Sequence, residues 1–172
     1  MSGLVVDVTE LVGSPDARLS IRREIPVPGL RGALGWIGEN EPVRVELAAD
    51  TVTDGIAVAG KVSGTMHLSC SRCLVSYDRS FEQRVDEMYY HGSAEDGDGY
   101  EVEANRIDLE PMLRDVIVLA IPIRPLHDET CRGLCPTCGA DRNVADCGHA
   151  GEPEDLRWAP LRGALDRLER SS

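Results

Sequence analysis

The chain has 172 residues, with 18 Lys and Arg against 30 Asp and Glu, a formal charge of −12, and 42% apolar residues that include only seven aromatics. This length holds one domain with room for a small appended module, and the apolar share is enough to bury a core, which argues against wholesale disorder. The acidic balance repels a phosphate backbone at long range, so a DNA-coating or general nucleic-acid-binding role is disfavoured and a basic protein partner fits the sign better.

Residues 1–40 mix short apolar runs with Gly and Pro. Leu19 and Ile21 alternate with Arg18, Ser20 and Arg22 as in a strand, which Pro26 and Pro28 end or confine to an edge. Residues 41–90 read as an antiparallel sheet: Val43, Val45 and Leu47 alternate with Arg44 and Glu46, and after a turn at Asp54-Gly55 a second strand runs through Ile56 and Val58 to Leu68. Tyr77, Phe81, Val85 and Met88 prolong the apolar pattern in a form that fits strand or helix.

Residues 91–106 read as an acidic loop, because Gly92 to Gly99 holds many turn formers and no apolar period. Ten acidic side chains against Arg84 and Arg106 place −8 of the net charge within residues 82–110. Glu95, Asp96, Asp98, Glu101 and Glu103 are its candidate docking residues for a basic partner. A helix is predicted over 107–122: Asp108 caps it, Pro111 sits in its first turn, Leu109, Met112, Leu113, Val116, Ile117 and Ala120 follow helical spacing, and Pro122 stops it. A cysteine-rich segment, 131–150, precedes a final helix over 156–170 with Trp158, Leu161, Leu165 and Leu168 on one stripe. The fold class that results is α+β, a single domain built on a mostly antiparallel sheet of barrel-like character.

The longest apolar run, Val116 to Ile121, is far short of the ~20 residues that span a bilayer, and Met1 to Glu10 lacks a basic start followed by an apolar run. The chain therefore reads as cytoplasmic. In a reducing compartment six cysteines point to metal ligands or reactive thiols rather than disulfides.

Cys70-Ser71-Arg72-Cys73 and Cys135-Pro136-Thr137-Cys138 are two C-x-x-C pairs, a spacing that lets one tight turn present two thiolates to a tetrahedral Zn²⁺. Cys70, Cys73, Cys135 and Cys138 are therefore the first candidate set for a structural zinc, clamping the sheet to the C-terminal segment. Cys131, Cys147 and His149 are alternates, since Cys131, Cys135, Cys138 and Cys147 also form a local set of four. Neither pair opens a helix in a βαβ unit, which disfavours a thioredoxin-like reading. His127-Asp128 comes with no nucleophile elbow or paired-carboxylate motif, so the histidine reads as structural and the protein as a non-enzyme. Arg157, Arg162 and Arg167, beside Trp158, are candidate RNA contacts, and Arg18, Arg22, Arg23 and Arg31 form a second basic group. Both groups equally suit a solvated strand or helix face.

Several short motifs in fixed order carry a family resemblance. They are Cys70-Ser71-Arg72-Cys73-Leu74, Ile107-Asp108-Leu109, Leu119-Ala120-Ile121-Pro122, Pro125-Leu126-His127, Cys131 to Gly139, and Trp158-Ala159-Pro160-Leu161. Over residues 43–170 the chain resembles the YceD-like large ribosomal RNA subunit accumulation proteins, while residues 1–40 are only loosely similar. The resemblance implies a bacterial, cytosolic, non-enzymatic factor needed for normal large-subunit rRNA levels. It also implies that the middle C-x-x-C and the cysteine matching Cys131 are widespread in the family, and that the Cys-Pro-x-Cys-Gly knuckle belongs to a subset. The expected function is large-subunit biogenesis exercised by binding a basic ribosomal protein, a pre-ribosomal large-subunit particle or rRNA. The alternative is a zinc-dependent redox-responsive regulator whose cysteine pairs lose the metal on oxidation.

Overall fold

The computed structural model describes residues 4–14, 17–92 and 99–149, and the chain groups into two compact units, Met1–Glu129 and Thr130–Ser172. In the first unit the strands are β1 (Val5–Asp7), β2 (Arg18–Pro26), β3 (Gly35–Trp36), β4 (Pro42–Val52), β5 (Gly55–Ser69), β6 (Ser76–Tyr90), β7 (Tyr100–Glu103) and β8 (Arg106–Asp108), followed by helix α1 (Leu109–Ala120). A single 3-10 turn, Thr9–Leu11, follows β1. The strand path is β1-β8-β7-β6-β5-β4-β2, with β3 paired to β5, and the sheet curls as half a barrel. Every pairing is antiparallel except β6 with β7, so the sheet is mixed by one short ladder.

Period-two patterning builds the inner face. Val43, Val45, Leu47 and Ala49 of β4 and Ile56, Val58, Val62, Met66 and Leu68 of β5 are all buried, while Arg44, between Val43 and Val45, is exposed. Gly60 stands opposite Leu47 with φ +152°, and a Cβ there would run into the Glu46 carbonyl, so the β4–β5 approach requires glycine. Cross-strand charge pairs line the outer face: Arg18 holds Asp50 through two bonds of 2.7 and 2.8 Å, Arg44 holds Glu24, and Lys61 lies between Glu46 and Glu82. Exposed pairs of this kind add little to stability, so their main effect is to favour this register. Two of the arginines and the lysine thereby already have carboxylate partners.

Asp108 caps α1 as expected, its Oδ1 accepting the Glu110 amide at 2.9 Å. Leu109, Met112, Leu113, Val116 and Ile117 are buried in the same core as Val6, Val8, Ile107 and Tyr89, and the Tyr89 hydroxyl donates to the Asp108 carbonyl at 3.0 Å. Burying each such aliphatic side chain is worth ~1.5–3 kcal/mol, which fixes the helix against the sheet.

Two expectations change. The helix begins at Leu109 rather than at residue 107, because Ile107 belongs to β8 and pairs with both Val6 and Val102. Residues 91–106 are not one loop: Tyr100 and Val102 pack toward the core while Glu101 and Glu103 face out, forming β7. Ala104 and Asn105, at φ +48° and +56°, make the two-residue turn to β8. That turn has no glycine to announce it. The final helix expected over 156–170 lies outside the described residues, as do Glu95, Asp96, Asp98, Arg157, Arg162 and Arg167.

His67 on β5 receives two carboxylates and an indole. Its Nδ1 meets Asp78 Oδ1 at 2.7 Å directly across on β6, its Nε2 lies 2.9 Å from Glu41, and its ring stacks on Trp36 at 5.5 Å. The Asp78 hydrogen bond raises its pKa from the ordinary 6.5; partial burial opposes this, and Glu41 adds to the rise. A pKa raised on folding gives stability that is full below the unfolded value and lost as pH rises through the folded one. Wild type should therefore lose stability on going from pH 6 to pH 9 by more than a His67→Gln variant does, as read from urea midpoints at the two pH values.

Candidate metal centre

The longest ladder of the sheet, β5 with β6, closes at Ser69↔Ser76 and leaves Cys70 to Val75 as its hairpin loop. Within it the Cys70 amide donates to the Val75 carbonyl at 2.9 Å, the Leu74 amide donates to the Cys70 carbonyl at 2.9 Å, and Leu74 is left-handed at φ +62°. The second unit repeats the device. Cys135 N–H donates to the Ala140 carbonyl at 2.8 Å, Gly139 N–H donates to the Cys135 carbonyl at 2.8 Å, and Gly139 has φ +73°. Each C-x-x-C pair is thus a knuckle in which the fifth residue turns left-handed so that the loop folds back beneath its sulfurs.

The first knuckle receives the segment after α1. Ser71 N–H donates to the Pro125 carbonyl at 2.8 Å, Arg72 Nη1 to the Glu129 carbonyl at 3.2 Å, and His127 Nδ1 lies 3.5 Å from Cys73 Sγ. Ligand atoms of Cys70, Cys73 and His127 all lie within 4.8 Å of one another. Sulfurs around a tetrahedral Zn²⁺ with Zn–S of ~2.3 Å are about 3.8 Å apart, so the group needs only a small contraction to hold an ion. Burial pushes the Cys70 thiol up, but hydrogen bonds from His127 and from the Cys73 and Arg72 amides outweigh it and bring the thiol down to about 5. A thiolate is the form that binds metal.

In the second unit Cys135, Cys138, Cys147 and His149 bring their ligand atoms within 4.8 Å of one another. Leu134 bridges to Asp141 across the knuckle, and Arg142 N–H donates to the Gly133 carbonyl at 3.0 Å. Asp141 accepts the amides of Val144 and Ala145 on its carbonyl, and Asp146 Oδ1 accepts Gly148 N–H at 3.0 Å, which turns the chain at Cys147. The amides of Cys138 and Thr137 bring the Cys135 thiol down to about 6 against the effect of burial. Asn143 Nδ2 reaches Cys131 Sγ at 3.5 Å, a hydrogen bond of the kind that orients a metal-bound thiolate.

Each C-x-x-C pair is therefore gathered with donors other than those of the four-thiolate set. Cys70 and Cys73 have His127 beside them; Cys135 and Cys138 have Cys147 and His149. His127, read from sequence as a structural loop histidine, is one of the clustered donors. Its sequence signal was its place four residues before Cys131, with proline-directed chain on its N-terminal side.

A second feature lies on β6, β7 and α1. Tyr100 donates to Asp115 at 2.8 Å and is flanked by two shallow clefts, one lined by Glu87 and Asp115, the other by Glu101, Glu103, Asp108 and Arg106. Burial and then Asp115 hold the Tyr100 hydroxyl above its usual range, so it remains a neutral donor. Glu87, Glu101, Glu103 and Asp115 enter no ion pair among the described residues.

Leu74 occupies a left-handed position with 60% of its surface exposed, where its counterpart in the other knuckle is Gly139. A left-handed residue other than glycine costs ~1–2 kcal/mol, partly offset by the greater chain entropy glycine loses. Leu74→Gly should stabilise the protein by about 0.5–1 kcal/mol. A denaturant midpoint in zinc-containing buffer measures it.

A family model described as large ribosomal RNA subunit accumulation protein YceD matches residues 58–163. An uncharacterized protein of Mycobacterium tuberculosis is 30% identical over 167 residues, which cover 93% of this chain and 80% of the relative. The uncharacterized protein YlbN of Bacillus subtilis is 32% identical over 134 residues, 76% of this chain and 78% of its own. A chloroplastic large ribosomal RNA subunit accumulation protein YCED homolog of Arabidopsis thaliana is 31% identical over 68 residues, 40% of this chain and 21% of that one. No solved structure matches.

Proposed function

Because the chain belongs to the YceD family of large ribosomal RNA subunit accumulation proteins, we propose that it supports large-subunit biogenesis as a zinc-stabilised factor that binds a basic ribosomal protein. The observation that carries the binding mode is the acidic surface around Tyr100, where Glu87, Glu101, Glu103 and Asp115 enter no ion pair among the described residues. Like charges on one surface repel, and a cationic partner relieves that repulsion while it gains attraction. The sheet's outer face offers less to RNA, since Arg18 and Arg44 are already engaged by Asp50 and Glu24. Holding a basic protein in this way keeps it soluble until rRNA, with its denser negative charge, takes it over.

Zinc in the first knuckle serves this role structurally. Cys70, Cys73 and His127 supply three protein donors, and an ion held by them ties the segment after α1 to the β5–β6 hairpin.

Affinity purification under ultraviolet crosslinking tests the binding mode. A basic ribosomal protein should copurify at low salt, dissociate as salt rises, and be lost by at least tenfold in a folded Glu87→Lys, Glu101→Lys, Glu103→Lys variant. Recovery of crosslinked rRNA with no ribosomal protein would refute it. For the ligand set, Cys73→Ser and His127→Ala should each remove one equivalent of zinc and lower thermal stability, and full zinc retention by both variants would refute this site.

A further inference from the structure

We infer that Cys135, Cys138, Cys147 and His149 form a second, self-contained structural zinc site, so that the protein carries two ions and residues 130–149 fold around the second. This does not depend on the ribosomal reading. The four donor atoms lie within 4.8 Å of one another, and all four come from one run of 15 residues in the second unit. Three thiolates and one imidazole are a donor set of closed, structural zinc sites.

The local backbone is built to present them. Gly139, at φ +73°, closes the knuckle behind Cys135 and Cys138, and Gly148, at φ +72°, stands between Cys147 and His149, where a left-handed residue brings the imidazole round to the sulfur it follows. Nothing lies within 4 Å of where a Cβ would stand at either glycine, so the requirement at both positions is conformational. Asp146 Oδ1 fixes the second turn through Gly148 N–H, and the Leu134–Asp141 bridge fixes the first.

Among the described residues the same segment buries little apolar surface. Among residues 130–149 only Cys131, Gly133 and Cys135 are buried; Leu134 is half-buried, and Val144 is 84% exposed. So little burial offsets little of the chain entropy of ordering these residues, whereas zinc binding to a cysteine and histidine set is itself folding free energy.

Metal analysis of the full chain, purified from zinc-supplemented cells, decides the matter. Wild type should hold two zinc per chain. Cys138→Ser combined with Cys147→Ser, and His149→Ala alone, should each leave one, and Cys70→Ser combined with Cys73→Ser should also leave one. One zinc in wild type that is lost on changing either C-x-x-C pair would overturn the inference in favour of a single shared four-thiolate site. Two zinc retained after Cys147→Ser and His149→Ala would overturn the ligand assignment. Should the paired variants not fold, cobalt titration of zinc-stripped wild type supplies the check: thiolate-to-cobalt absorption should grow to two equivalents, and saturation at one would refute the second site.

Discussion

The pairing of β5 with β6 is the constraint on which the first unit depends. Fifteen residues of each strand are in register, from Gly55↔Tyr90 at one end to Ser69↔Ser76 at the other. The near end closes the Cys70–Val75 loop and sets the first knuckle in place. The far end carries Tyr89 and Tyr90 to their parallel pairing with Tyr100 and Glu101, and so positions the acidic strand β7. A one-residue slip would reverse every side chain of β6 and remove both arrangements together. Register is held by buried Val62 and Met66 on one face and by the His67–Asp78 contact on the other.

The acidic surface and the first cysteine knuckle lie at opposite ends of that ladder. The sulfurs of the first knuckle are buried, hydrogen-bonded by backbone amides and joined by an imidazole, conditions that favour an ion site. Glu101, Glu103 and Asp115 around Tyr100 are exposed, Glu87 is half-buried, and none of the four enters an ion pair among the described residues, conditions that favour a transient partner of opposite sign. The formal charge of −12 is therefore not a uniform coat. On the outer sheet face it is largely balanced strand against strand, and on β7 it is left open.

Helix α1 shows local and tertiary information in agreement. Its cap, its apolar spacing and its stop at Pro122 are all local, and the buried set Leu109, Met112, Leu113, Val116 and Ile117 matches the period read along the chain. Strand β7 shows the opposite case. Four residues with two glutamates have little strand signal of their own, and what makes them a strand is pairing with β6 and β8 and the contact of Tyr100 and Val102 with a core assembled elsewhere.

By itself the sequence determined strands β2, β4 and β5, the capped helix, the acidic bias and the presence of two knuckles, but left β6 open between strand and helix, because period, capping and C-x-x-C spacing are short-range properties readable a few residues at a time. The order of strands, the pairing of β1 with β8 across a hundred residues and the grouping of the donors were decided only by tertiary structure. Spacing says that two cysteines can share one ion, but not which further donors stand beside them. That depends on where the hairpin delivers Cys70 and Cys73, where the chain after α1 delivers His127, and where Gly139 and Gly148 turn the second unit back on itself.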